Sequence, residues 1–190
     1  MSDTIRNALL FLINTIFDIY LFILVLRVIL AWVGADYFTP IVQFIVKMTD
    51  FLVKPLRRYI PNYRSIEFST IVVILVLEMI KFFIVGLLTF GLANIIGLII
   101  MAFSDFLKLV LMAFFYAILF QAILSWVQPT SPMNRVLVQF TAPILRPFQR
   151  ICPTINGFDI SPIPALIVLQ LLIMIVVTPL MALGMGVAFA

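Results

Sequence analysis

The sequence predicts an all-α membrane protein: four transmembrane helices in two parallel tandem repeats, each repeat with an interfacial amphipathic helix in its cytoplasmic loop. Three observations carry that expectation. The 190 residues are 65% hydrophobic and only 11% charged, with a mean hydropathy of +1.27, whereas soluble domains run nearer half apolar and a quarter charged. The cationic excess is confined to two windows between apolar runs. The first half of the chain is echoed in the second.

Composition also excludes chemistry. Histidine is absent and cysteine occurs once, at Cys152. A His base, a Ser-His-Asp triad, His-ligated metal or haem, an internal disulfide and a Cys-rich metal site are therefore unavailable. No enzymatic activity and no cofactor or metal is expected.

The first apolar run, Ala8 to Trp32, exceeds the ~20 residues a bilayer core requires. It is too long for a signal-peptide core and is followed by no small-residue cleavage site, so it is expected to be retained. Window 33–67 comes next, with Lys47, Lys54, Arg57, Arg58 and Arg64 against Asp36, Asp50 and Glu67. Window 128–162 holds Arg135, Arg146 and Arg150 against Asp159. Elsewhere Arg6, Arg27, Lys81 and Lys108 balance Asp3, Asp18, Glu78 and Asp105. A pI near 9.5 could suggest nucleic acid, but cations concentrated in two interhelical loops are topology signals: cytoplasmic loops are rich in Lys and Arg. Both loops are placed inside and both termini outside, in the periplasm of a Gram-negative cell.

Between Phe68 and Val127 hydropathy alone is ambiguous, and the internal repeat divides the run. Leu26-Arg27-Val28-Ile29-Leu30-Ala31-Trp32 matches Phe120-Gln121-Ala122-Ile123-Leu124-Ser125-Trp126 at an offset of 94. At an offset of 92, Thr39-Pro40 falls on Ser131-Pro132, Thr49 on Thr141, Pro55 on Pro147, Arg58 on Arg150, Pro61 on Pro153 and Ser69 on Ser161. The spans are then about 8–32, 68–90, 105–127 and 162–186, in repeats 1–94 and 95–190. Stretch 91–104 is a connector that either lies in the interface or extends a helix. Trp32 and Trp126 sit at span ends as interfacial anchors.

Thr39-Pro40 and Ser131-Pro132 read as N-caps followed by proline at the first helical position. Gln43, Lys47, Asp50 and Lys54 recur on one helix face, and Ile41, Val42, Phe44, Ile45, Met48, Phe51 and Leu52 cover the other. That pattern predicts an amphipathic helix in the interface plane. Arg135, Gln139 and Arg146 continue it in the second copy, with Ala142 in place of the acid and Pro143 expected to disturb the helix. Pro55 and Pro61, like Pro147 and Pro153, bracket short segments carrying Arg57 and Arg58, or Arg150. Each arginine there contributes about 1 kcal/mol against anionic lipid.

These residues resemble the YggT family, which includes the YlmG proteins. The resemblance rests on Arg27-Val28-Ile29-Leu30-Ala31-Trp32, on Thr49-Asp50 with Pro55-Leu56-Arg57-Arg58-Tyr59-Ile60-Pro61, and on Asp159-Ile160-Ser161-Pro162-Ile163. Two copies cover nearly the whole chain, similar to the two-repeat form of Gram-negative bacteria. Neither copy is complete: the second has Gln121 for the arginine and Ile151-Cys152-Pro153 for Tyr-Ile-Pro, and the first has Glu67-Phe68-Ser69-Thr70 for Asp-Ile-Ser-Pro. The resemblance implies a small cytoplasmic-membrane protein, with associations to division and septum placement, nucleoid organisation, cofactor assembly onto membrane complexes and osmotic tolerance. It implies no enzymatic activity.

Asp18, Arg27, Glu78 and Lys81 fall inside spans, where each unpaired charge costs several kcal/mol. Glu78 and Lys81 are three apart and could pair locally. The repeat suggests another pairing. Arg27 and Glu78 become Gln121 and Gln170, while Asp18 and Lys81 become Met112 and Ile173. Positions that change in step are expected to touch, giving Asp18–Lys81, Arg27–Glu78 and an amide pair Gln121–Gln170. On that basis Asp18→Met with Lys81→Ile should be tolerated. The four charges are either buried glue between helices or an ion path. Ala93 with Gly97, and Gly186 with Ala190, permit close helix approach, including self-association. The leading functional expectation is a non-enzymatic scaffold or assembly factor that meets anionic headgroups and other membrane proteins through Lys47, Lys54, Arg57, Arg58, Arg135, Arg146 and Arg150. The alternative is a small cation channel or transporter in osmotic adaptation.

Overall fold

The computed structural model describes residues 3–36, 38–60, 66–128, 130–151 and 159–189. Six helices account for most of them: α1 (Asp3–Val33), α2 (Pro40–Arg57), α3 (Phe68–Thr89), α4 (Ile95–Val127), α5 (Pro132–Ile151) and α6 (Pro162–Ala188). No strand occurs among the described residues. Helices α1, α3, α4 and α6 are long and apolar enough to cross a membrane, with 31, 22, 33 and 27 residues. At 1.5 Å per residue even α3 spans about 33 Å, enough for a ~30 Å hydrocarbon core. The chain is a multi-pass membrane protein.

Each repeat sends one span to the loop end of the bundle, lays a shorter helix there and returns with a second span. Helix α3 packs on α1 and α4, α1 on α4, and α4 on α6, while α1 and α6 do not touch among the described residues. Helix α2 lies on α1 and α3, and α5 on α4, α6 and α1. The core gathers at the loop end. Helix α1 contributes buried residues only from Leu21 to Leu30. Against them pack Val42 and Val53 of α2, Ile74 of α3, Phe114 and Ile118 of α4, and Phe140 and Leu145 of α5. The loop helices thus close a core that the spans alone would leave open.

At the opposite end α4 and α6 approach backbone to backbone. A side chain on Gly97 would collide with the Ala188 backbone, and one on Gly184 would meet Met101 at 2.8 Å. Asn94 N–H donates to Ala188 O at 2.9 Å, and Phe189 stacks on Phe90 with ring centroids 4.8 Å apart. Gly91, at φ 105°, ends α3 in the left-handed conformation that glycine tolerates best. Asn94 caps α4, its side-chain oxygen accepting from Ile96 N–H at 3.0 Å.

Several boundaries differ from the sequence expectation. Helix α4 starts at Ile95 rather than 105, so most of the connector is helical. Pro143 does not break α5: Pro143 and Pro147 both lie within it, as Pro55 lies within α2. Each proline deletes one backbone donor, but packing of Phe140, Thr141 and Leu145 against the core holds α5 continuous. Pro55 and Pro147 therefore do not begin separate segments, and Pro61, Arg64, Cys152 and Pro153 lie outside the described residues. In α6, Ile173–Val177 form a π-turn. Pro179 follows it and offers no N–H; Thr178 donates from its backbone N–H to Ile173 O and from its hydroxyl to the same oxygen at 3.1 Å.

Gly186, unlike Gly97, has open space around its Cβ position. Gly97→Leu is expected to cost at least the ~1–3 kcal/mol typical of overpacking, and Gly186→Leu almost nothing. Unfolding in mixed micelles, followed by circular dichroism, checks the contrast.

Candidate functional site: an arginine node beneath a basic platform

Arg27 is 3% exposed and lies on the inner face of α1 near the loop end. Its Nε donates to Glu67 Oε2 at 2.7 Å. Its Nη1 donates to Thr49 Oγ1 at 2.8 Å, to Asp50 Oδ1 at 2.8 Å and to Val46 O at 3.3 Å. Thr49 passes its own proton to Ile45 O at 2.7 Å, which frees its oxygen to accept. Glu67 begins α3, its carbonyl accepting from Thr70 and Ile71 N–H, and its carboxylate also accepts from the Thr70 hydroxyl at 2.8 Å. One guanidinium therefore ties together a span, a loop helix and the start of the next span. The planar fork of arginine suits that multiple contact.

Arg27 does not meet Glu78. Position 27 lies near the loop end, where α2 presents Thr49 and Asp50, and these satisfy the guanidinium first. The amide pair fails likewise: Gln121 accepts from the Thr141 hydroxyl, and Gln170 is exposed on α6. The second repeat thus keeps a reduced node. Gln121 and Thr141 replace Arg27 and Thr49, and Ala142 cannot replace Asp50. Asp159, the counterpart of Glu67, accepts instead from Gln149 Nε2 and from Ser161 N–H, each at 2.9 Å. Partial burial opposes its ionisation, but hydrogen bonds from Ser161 and Gln149 outweigh that and hold the carboxyl below its ordinary value. Ser161 and Pro162 are buried where α6 begins.

A second cluster lies deeper. Lys81 Nζ is 2.5 Å from Asp105 Oδ2, 2.6 Å from Glu78 Oε2 and 3.0 Å from Asp18 Oδ1. The structure thus brings Asp18 and Lys81 together and also forms the local Glu78–Lys81 pair. Asp105 is the partner the sequence reading missed, because a span beginning at 105 made it a helix-end charge. Lys108 lies 3.6 Å from Asp105 Oδ1. Glu78 is fully buried, while the Asp18 side chain is 54% exposed. These contacts join α1, α3 and α4, and so both repeats. They also argue against the expectation that Asp18→Met with Lys81→Ile is tolerated: Glu78 would be left buried without a cation and Asp105 with Lys108 alone at 3.6 Å.

Above the arginine node, Lys47, Lys54, Arg57, Arg58, Arg135, Arg146 and Arg150 are all exposed. Phe44, Met48, Phe51 and Tyr59 are exposed beside them. Trp32 and Trp126 stand exposed at the loop ends of α1 and α4. Below, an apolar groove of about 180 Å³ runs between α1, α2, α4 and α5, lined among others by Phe22, Leu30, Tyr116, Val136 and Phe140. Among the described residues no group of three His, Cys, Asp or Glu is placed to hold a metal ion.

The CCB3/YggT family model matches residues 6–88 and 100–180, one segment in each repeat. The chain belongs to the CCB3/YggT family. It is 36% identical over 180 residues to the uncharacterized protein YggT of Escherichia coli K12, covering 94% of each chain. An uncharacterized protein of Pseudomonas aeruginosa is 35% identical over 182 residues, 94% of this chain and 92% of that one. A further relative from Vibrio alginolyticus is 36% identical over 167 residues, 86% of this chain and 90% of its own. No solved structure matches. Within this CCB3/YggT chain, the arginine node joins three of the segments by which the family was recognised: Arg27, Thr49-Asp50 and the position of Glu67.

Removing Arg27 strands two carboxylates. Arg27→Gln is expected to cost about 3–5 kcal/mol, the usual consequence of breaking a buried pair. Adding Asp50→Ala and Glu67→Gln should restore most of it, as thermal unfolding in lipid nanodiscs would register. Lys81→Ile is expected to destabilise by a similar ~3–5 kcal/mol whether or not Asp18→Met accompanies it. Recovery should require Glu78→Gln and Asp105→Asn as well.

Proposed function

We propose that this protein is a non-enzymatic scaffold or assembly factor of the cytoplasmic (inner) membrane. Its loop face lies in the cytoplasm and both termini in the periplasm. The observation that supports this reading is a charge separation. The arginine node draws Asp50 and Glu67 inward, while all seven cations of the loop helices point outward. The platform therefore presents an excess of positive over negative charge among exposed aromatic and aliphatic side chains, the combination that holds a helix at an anionic interface. Loops of this charge are retained in the cytoplasm. Other membrane proteins meeting the same face would encounter fixed helices rather than a loose loop.

The transport alternative is less well supported by the geometry of the deep cluster. The Lys81 ammonium sits among three carboxylates at 2.5 to 3.0 Å. It occupies the position a permeating cation would take.

Each exposed cation near the headgroups contributes about 1 kcal/mol with anionic lipid, so seven of them make a measurable preference. Protein extracted in polymer nanodiscs is expected to carry more anionic phospholipid than the bulk membrane, as read by lipid mass spectrometry. Changing Lys47, Lys54, Arg58, Arg135, Arg146 and Arg150 to Gln should abolish the enrichment while leaving the fold intact. Unchanged lipid composition would remove the basis of this reading. Potassium or proton flux in proteoliposomes that Asp18→Met abolishes would replace it with transport.

A further inference from the structure

The two repeats are not packed alike, and the difference leaves a matching pair of faces open. Within each repeat the first span packs on the second, α1 on α3 and α4 on α6. The repeats then join through α3 against α4. Helix α4 is therefore covered from two sides over its first half. Between Gly97 and Phe114 it has eight buried residues, among them Leu98, Met101, Ser104 and Asp105. The aligned stretch of α1, from Asp3 to Tyr20, has none; its first buried residue is Leu21.

The other half of the missing junction is α6. Its residues aligned with the junction pair Glu78 and Lys81 are Gln170, which is exposed, and Ile173, which is half-buried. On α3 the counterpart of Gln170 is Glu78, which is fully buried and linked through Lys81 to Asp105. Both open faces also carry a polar group, although Asp18 already meets Lys81 at 3.0 Å within the chain. Gln170 is exposed on α6, and the Asp18 side chain is 54% exposed on α1. A carboxylate or amide facing acyl chains is costly, and polar groups inside membranes ordinarily face other helices or water. Asp18 stands two helical turns from Phe11 on the same face, and Phe11 is 73% exposed.

We infer that a second copy of this chain docks its α6 against the exposed first half of α1, repeating between chains the α3–α4 junction made within one. The face on α1 and the face on α6 are different surfaces, so the association is head-to-tail: it closes into a ring or continues as a row. The internal junction also sets the register. Glu78 and Asp105 meet at one ammonium, and their repeat counterparts are Gln170 and Phe11, so Gln170 of one copy lies near Phe11 of the next. This association stands apart from the lipid-facing platform, which lies at the loop end and remains uncovered.

The test uses full-length protein with Cys152→Ser, in native membranes. One tagged chain carries Phe11→Cys, a differently tagged chain carries Gln170→Cys, and a short bifunctional thiol reagent is added. The expected result is conversion of monomer into a mixed dimer when both variants are present, with no dimer in membranes holding either alone. Both substitutions are at exposed positions, and labelling with a small thiosulfonate reagent verifies that each thiol is reachable. Dimers of Phe11→Cys with itself would overturn the inference, because they require like faces to meet. Absence of any dimer, with both thiols labelled and wild-type protein appearing as single chains by native mass spectrometry from nanodiscs, would overturn it too.

Discussion

Burying the Arg27 guanidinium constrains most of the loop end. A guanidinium at 3% exposure in an apolar bundle survives only if nearly every donor finds an acceptor, since an unpaired charge there costs several kcal/mol. Three acceptors come from α2 and one from the start of α3. Helix α2 must therefore lie across α1 in one register, with Thr49 and Asp50 turned inward. That register places Val42, Ile45 and Val53 on the core and Lys47 and Lys54 outside. The same contacts remove two carboxylates from the platform. The electrostatics of the exposed face thus follow from a choice made in its interior.

The deep cluster imposes a comparable constraint on the spans. With Lys81 held by carboxylates from α1, α3 and α4, those three helices cannot slide past one another without separating charges in a medium that screens poorly. Lys81 also secures the packing between the second span of the first repeat and the first span of the second. In the second repeat Met112 and Ile173 stand at the positions of Asp18 and Lys81, so α4 and α6 rely on glycine contacts instead. Gly97 and Gly184 allow main chains to approach where the first repeat uses charge. The duplicated unit has thus diverged toward two ways of holding helices together, ion pairing in one half and close backbone packing in the other.

The fold was legible because its signals are long and redundant. Four apolar runs exceed the bilayer requirement, and the repeat divides the ambiguous stretch from Phe68 to Val127. Asp18 and Lys81 were legible as neighbours from their joint change to Met112 and Ile173. The same reasoning misassigned Arg27. Glu78 and Asp50 both lose their charge in the second repeat, one becoming Gln170 and the other Ala142. In-step change alone cannot rank two such candidates, and only the position of α2 does. Asp105 was missed for a related reason: its counterpart in the first repeat is Phe11, so the repeat carries no trace of it. The start of α4 hid it further, because the Asn94 cap was read as part of a connector. Pro143 misled in the opposite direction, since a proline rule describes an isolated helix while α5 is held by its neighbours.

A buried cation surrounded by carboxylates is ambiguous in isolation, serving equally well as a fastener or as a site on a path. The distribution of charge along the chain bears on the two roles. A conducting path needs polar groups at successive depths, with room for an ion to exchange partners. Here the span charges of the first repeat gather into two compact nodes, and between Arg27 and Lys81 the facing residues Leu21, Leu24, Val25 and Ile74 are all fully buried hydrophobics. That apolar layer separates the platform from the deep cluster with well-packed side chains. Each node therefore acts where it is. The upper one sets which charges the loop end exposes, and the lower one fixes the helices that carry the platform.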